Sequence, residues 1–308
     1  MEELLLQNEL SWLTRIRIVI AYAIGVLVIL YFPIQPVQTT ANNIFSFLNP
    51  GITPSYLMIW AAVSLALGFI VSAVCTPYGF YIGSITVPAA LSVWAFKSSD
   101  LSNLFQADPA ASSRLAIYSV LRFESFAWLV LVLFGFAGAF AAEKLLRRKQ
   151  LDLPDNFQPA VKLQPSAAIG LTIIGTTIIA SYLLNFLAAD ISYPDPKVGH
   201  ITGQPANIQI AFAVLISFMA CAFAAKLYLG VSYIWPSIAT AFVTLFTIIA
   251  YAKSSTLGYM AQSWAAVYFS KTSISIWPIQ VVAFGTLGSI WGYWLAARYR
   301  YWREFESK

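Results

Sequence analysis

Few side chains in this 308-residue chain could do chemistry, and they are widely spaced. Glu124, two residues after Arg122, is a carboxylate at the edge of a long apolar run. Burying charge in lipid costs several kcal/mol, so such a residue suits either an anion or proton site or an interfacial ion pair. The interfacial Arg122–Glu124 pair is the expected arrangement. Lys226 also falls in an apolar run, and its long stem is expected to reach the headgroups. The tripeptide Lys97-Ser98-Ser99 recurs as Lys253-Ser254-Ser255. Each copy is expected to cap a helix on the outer side, where a cation complements the C-terminal dipole. The same cations and hydroxyls could also hold an anionic headgroup or a partner's acidic segment.

Catalytic constellations are missing from the sequence. His200 is the single histidine, which rules out a haem held by paired histidines and a histidine-cluster metal site. With Asp190 and Asp195 upstream it fits no strong ligand spacing, and an ordinary polar loop is expected there. There is no Walker A sequence, no glycine-rich nucleotide fingerprint and no Asp-rich pyrophosphate-binding pair. No nucleophile stands with a base. The expectation is a protein without catalysis, without cofactor and without metal. Cys75 and Cys221 lie in separate apolar stretches and are expected to be unpaired.

The elements that carry these residues follow from composition. Hydrophobic residues make up 59% of the chain, charged residues only 10%, and the mean hydropathy is +0.72. Globular chains carry about 25% charged residues, so a water-soluble domain of this size could not cover its surface. Disorder is excluded by the same hydrophobicity. An apolar run of about 20 residues spans a bilayer, and eight runs qualify, at roughly 16–34, 57–75, 79–96, 123–143, 167–188, 208–227, 231–252 and 274–297. Pro88 and Pro236 are expected to kink their helices. The first segment carries Glu2, Glu3 and Glu9, which does not suit a cleavable signal sequence.

Twelve of the 18 basic residues fall on the side holding both termini and the central connection. The positive-inside rule makes that side cytoplasmic, with a bacterial inner membrane as the default setting. The net charge of +5 is therefore an orientation signal, and no basic face suited to nucleic acid is present. The outer connections 35–56, 97–122, 189–207 and 253–273 are long, and Ile44–Leu48 and Leu115–Leu121 are expected to lie as short helices in the outer interface. Trp12, Trp94, Trp235, Trp264, Trp277, Trp294 and Trp302 are expected to form an aromatic belt. Gly135 and Gly138, and Gly285, Gly288 and Gly292, mark helix faces for close packing.

A shift of 156 places Lys97-Ser98-Ser99 on Lys253-Ser254-Ser255, Leu101 on Leu257 and Gln106 on Gln262. A shift of 150 then aligns Tyr118 with Tyr268, Ser125 with Ser275, Phe134-Gly135 with Phe284-Gly285, Gly138 with Gly288 and Arg148 with Arg298. The expected fold is an all-α integral membrane protein of about eight transmembrane helices in two tandem parallel four-helix repeats, 1–146 and 167–308, joined by a linker over 147–166. A non-catalytic subunit that anchors or organises a membrane complex fits best. A permease for a small neutral or hydrophobic substrate comes second, and a lipid enzyme last. The expected contacts are the lipid bilayer and other membrane protein subunits.

Overall fold

In a computed structural model the chain is described over residues 12–31, 38–39, 44–48, 54–76, 78–146, 161 and 163–306. Most of the central connection, with Arg147, Arg148, Lys149 and Lys162, lies outside the described residues, as do Glu2, Glu3 and Glu9. The structure is built of helices, eight of them long and apolar enough to cross a membrane among the described residues. Lipid offers no hydrogen-bond partner to the backbone, so runs this apolar must satisfy their N–H and C=O groups internally. The protein is a multi-pass membrane protein in contact with a bilayer.

In chain order the helices are α1 (Trp12–Tyr31), α2 (Pro54–Val74), α3 (Gly79–Lys97), the short α4 (Leu101–Ala107), α5 (Ala111–Leu146), α6 (Pro165–Leu187), α7 (Asn207–Ala224), α8 (Ile234–Tyr251), the short α9 (Ser254–Ser263) and α10 (Pro278–Glu306). A five-residue π-helical turn, Ala225–Leu229, follows α7. One end of the molecule, the linker end, holds the turns after α2 and α7. The other, the loop end, carries β1 (Gln38–Thr39) paired with β2 (Ile44–Phe45), and β3 (Ser192–Asp195), β4 (Gly199–Gly203) and β5 (Tyr268–Phe269) in one antiparallel sheet.

Two expected interfacial helices are corrected. Ile44–Phe45 is a strand, because a five-residue segment is too short to nucleate a helix and its backbone bonds go to Gln38–Thr39 instead. Leu115–Leu121 is the outer part of α5, which runs 36 residues without a break. No Gly or Pro stands between Ala111 and Phe134 to end it. Pro236 sits in the first turn of α8, where a missing N–H disturbs little, and Pro88 lies inside a continuous α3.

Helices α2 and α5 pack along their length, and so do α7 and α10. In each group the first helix packs on the third, α1 on α3 and α6 on α8. Across the seam the contacts are reciprocal: α3 meets α10, α8 meets α5, and α5 meets α10. Burial follows a common register. Adding 150 to Trp60, Ala61, Ser64, Leu67, Gly68, Val71, Ser72 and Cys75 gives Ile210, Ala211, Val214, Ser217, Phe218, Cys221, Ala222 and Ala225, all buried. Adding 153 to nine of the ten buried positions of α3 gives the nine buried positions of α8.

The glycines make close helix contacts within each group rather than between the two. A Cβ on Gly138 would strike the Leu65 carbonyl, and one on Gly288 would strike that of Leu215. Gly285 faces Thr240 and the Phe218 ring, Gly135 faces Val87, and Gly292 faces the Met219 carbonyl. Helix α10 is the central element, 72% of its apolar window being buried, against 11% for α1.

Candidate functional site

The residues singled out from sequence do not converge on one place. Arg122 is exposed, its guanidinium 4.7 Å from the Phe123 ring centroid. Glu124, two residues on, points the other way and is only 3% exposed. The expected interfacial pair is thereby replaced by a buried carboxylate held by neutral donors. Ser46 Oγ donates to Glu124 Oε2 at 2.5 Å, Trp128 Nε1 donates to Oε1 at 2.9 Å, and the Phe47 N–H donates as well. Trp128 lies one turn along α5, the spacing that stacks side chains on one helical face. Around this carboxylate stand Phe47, Trp60, Trp94 and Trp128, with Phe47 and Trp128 centroids 4.6 Å apart and Trp60 and Trp128 stacked at 6.3 Å. The donors meet the desolvation cost that would otherwise expel the charge.

The first group of helices thus has an aromatic core, and Trp60 and Trp94 continue from it into a shallow apolar recess between α1, α2, α3 and α5. Sequence reasoning missed Ser46, Trp60 and Trp128. Trp94 and Trp277, placed in the aromatic belt from sequence, are instead buried.

The Lys-Ser-Ser copies occupy different positions. Lys97 is the last residue of α3 and exposed, while Ser98 is buried with its hydroxyl on the Trp94 carbonyl at 3.2 Å. Lys253 instead precedes α9 as its N-terminal flank, and Lys253 and Ser254 are both exposed. Lys97 thus stands at the C-terminus of α3, while Lys253, one residue past the Ala252 C-cap of α8, also flanks the N-terminus of α9.

At the loop end of the second group, Asp195 ties the β3–β4 hairpin to α9. Lys197 N and Val198 N donate to Oδ1 at 2.8 and 2.9 Å, and Tyr259 Oη and Trp264 Nε1 donate to Oδ2 at 2.7 and 2.8 Å. Burial works to raise this carboxyl, but the four donors prevail and hold it down at about 2. His200 is exposed on β4, opposite Pro194. Among the described residues no group of three or more His, Cys, Asp or Glu could hold a metal ion. Cys75 and Cys221 are both free and buried.

The linker end holds a site that sequence reasoning undervalued. Lys226, in the π-helical turn, is only 6% exposed, and its Nζ lies 4.6 Å from the Tyr293 ring centroid, so it does not reach outward to headgroups. Arg300 Nη2 donates to the Leu227 carbonyl of the same turn at 2.6 Å, and Tyr233 Oη donates across the seam to Ser84 Oγ at 3.1 Å.

The seam itself is closed by further bonds. Near the loop end Tyr118 Oη donates to the Ile274 carbonyl at 3.0 Å, Trp277 Nε1 to that of Ser99 at 2.8 Å, and Asn207 Nδ2 to that of Ser98 at 3.0 Å. Gln280 Nε2 reaches the Ala95 carbonyl at 3.4 Å, and Ser125 Oγ reaches the Ala241 carbonyl at 3.3 Å. Phe96–Phe284, Phe126–Phe242 and Phe136–Tyr233 meet edge to face at 5.2–5.5 Å across the same surface. No known protein family, no curated protein and no solved structure matches the chain.

Proposed function

We propose that the chain is a non-catalytic integral membrane subunit that anchors or organises a larger membrane protein complex, docking partners on its loop-end connections. The observation that carries this reading is the seam. A parallel-repeat transporter of this plan works by moving one half against the other around a central site. Here that surface is filled by edge-to-face aromatic pairs and bolted at both ends by Tyr118, Trp277, Asn207 and Tyr233. A rigid platform suits assembly better than alternating access.

The same reading includes a duplication, two parallel four-helix units over 1–146 and 167–308. The common burial register and the reciprocal seam contacts support it. The excess of Lys and Arg at the linker end supports cytoplasmic termini, with a bacterial inner membrane as the proposed setting.

One observation favours the permease reading. The second unit has a hydroxyl-rich interior, with Thr172, Thr176 and Ser181 buried on α6 and Thr240, Thr244 and Thr247 buried on α8. The buried Ser217 and Thr286 hydroxyls have no hydrogen-bond partner among the described residues. A path for a small neutral solute would run there, inside one unit. Purification of the tagged protein in a lipid-preserving detergent, with native mass spectrometry, separates the two. Stoichiometric partners are expected; a lone monodisperse species that moves solute after reconstitution would overturn the assembly role.

A further inference from the structure

Arg114 stands in the first turn of α5 at the loop end, and it is only 3% exposed. Its Nε is sealed and has no hydrogen-bond partner among the described residues. The guanidinium lies over the Phe105 ring, 5.3 Å from its centroid, and Tyr118 beside it directs its hydroxyl to the Ile274 carbonyl. A buried guanidinium is a strong donor that must meet an acceptor or bear the full desolvation cost. Among the carboxylates of this end, Glu124 is directed to Ser46 and Trp128 and Asp195 to its four donors, Asp108 accepts from the Ala110 N–H at the start of α5, and burial alone raises the Asp100 carboxyl, with no cation beside it among the described residues. The connection over 32–53 contains no acidic residue that could supply one.

A second feature converges on the same point. Long side chains on a helix lean back toward its N-terminus, and Arg114 belongs to the first turn of α5. The opening N–H groups of a helix have no intrahelical acceptor, and they carry the positive end of the dipole. Arg114 lies nine residues before the apolar run that begins near residue 123, about 13 Å of helical rise outside the hydrocarbon core. That is the depth of phosphates and of the outer water.

We infer that Arg114 and the first turn of α5 bind a phosphate-type oxoanion at the loop end, either free phosphate or the phosphodiester of a lipid headgroup. The planar guanidinium matches two oxygens of such a group, and the helix N-terminus takes a third. Phe105 forms an apolar wall that strengthens both contacts by excluding water.

The test uses the full chain in neutral detergent and reads its melting temperature. Wild type is expected to rise by several degrees with inorganic phosphate, or with a short-chain phosphatidylglycerol, over chloride at equal ionic strength and over a phosphate-free diacylglycerol. A response to phosphate assigns the free ion; a response to the phospholipid alone assigns the headgroup. Arg114→Gln removes the shift, and Arg114→Lys keeps part of it, because a point charge cannot bind two oxygens in the same plane. If neither additive shifts wild type, or if Arg114→Gln responds as wild type does, the site does not bind oxoanions. Should Arg114→Gln fail to fold, phenylglyoxal labelling of wild-type Arg114, read by peptide mass, is expected to slow at least fivefold with the effective additive. An unchanged labelling rate would overturn the assignment.

Discussion

The first four spans and the last four bury the same register of positions and fill it with different chemistry. Where α3 presents Val87, Leu91 and Trp94, a shift of 153 finds Thr240, Thr244 and Thr247 on α8. Where α2 presents Gly68 against Gly135, a shift of 150 finds Phe218 against Gly285. Yet Gly138 and Gly288 press on carbonyls 150 residues apart, those of Leu65 and Leu215. The backbone approach is kept and the filling is exchanged. Lipid permits both fillings, since a threonine hydroxyl in a helix can bond its own preceding turn. A second contrast lies at Trp128, whose register partner is Pro278. Proline can begin a helix but not continue one toward its N-terminal side, so α10 starts there, while α5 runs on outward to Ala111.

Trp128→Ala tests the aromatic side most severely. The substitution empties the stack with Phe47, Trp60 and Trp94 and removes a donor from Glu124. A loss of about 3–5 kcal/mol is expected in unfolding by denaturing detergent. A loss below about 1 kcal/mol would mean that the cluster is loosely packed and that the two interiors differ only in name.

The matched pair Gly138→Ala and Gly288→Ala sharpens the shared register. Each adds a Cβ where a facing carbonyl already stands, so each is expected to cost about 1–3 kcal/mol by overpacking. Unequal costs, one large and one negligible, would break the equivalence of the two helix pairs. Glu124→Gln comes next. Its oxygen can face Trp128 Nε1 while its amide faces the rotatable Ser46 hydroxyl, so the expected loss is about 1–2 kcal/mol. Glu124→Leu leaves three donors unpaired and should cost more than the glutamine does.

The second unit has its own carboxylate staple, and it answers to acid. Asp195 is depressed to about 2 from an ordinary value near 3.9. A depressed carboxyl stabilises the fold in full above its unfolded value and loses that contribution as pH falls through the folded one. The hairpin should therefore hold above pH ~4 and loosen between about 4 and 2. The indole N–H resonance of Trp264 is expected to titrate with a midpoint near 2. A midpoint near 4 would show that the four donors do not hold the carboxylate.

The spans were legible because each is a run of about 20 apolar residues, a signal that needs no tertiary information. The loop-end structure was not. Ser46 and Glu124 are 78 residues apart, and nothing local marks a serine as the partner of a carboxylate. Lys226 reads as an interfacial lysine until the π-helical turn and Tyr293 are seen to enclose it. The Lys-Ser-Ser copies misled in an instructive way. Identity at a shift of 156 differs by three residues, close to one helical turn, from the 153 that relates the buried faces of α3 and α8. Residue identity and burial therefore give two different registers for the same pair of segments.

The mildest substitution bears on the hydroxyl side. Thr247 Oγ1 donates to the Thr244 carbonyl at 3.1 Å, within its own helix, as Thr240 does to Ser237 at 2.6 Å. If that is all the hydroxyl does, Thr247→Val removes one local bond and keeps the branched shape. Hydrogen bonds between polar side chains inside membranes average about 0.6 kcal/mol, and the change should not exceed that. A cost above about 2 kcal/mol would mean that the Thr247 hydroxyl serves something beyond its own turn. The threonine layer would then be a polar network running through the second unit, with Ser217 and Thr286 as its members. In that case the two fillings would no longer be interchangeable solutions to one packing problem: the aromatic unit would support the fold while the hydroxyl unit offered a path through it.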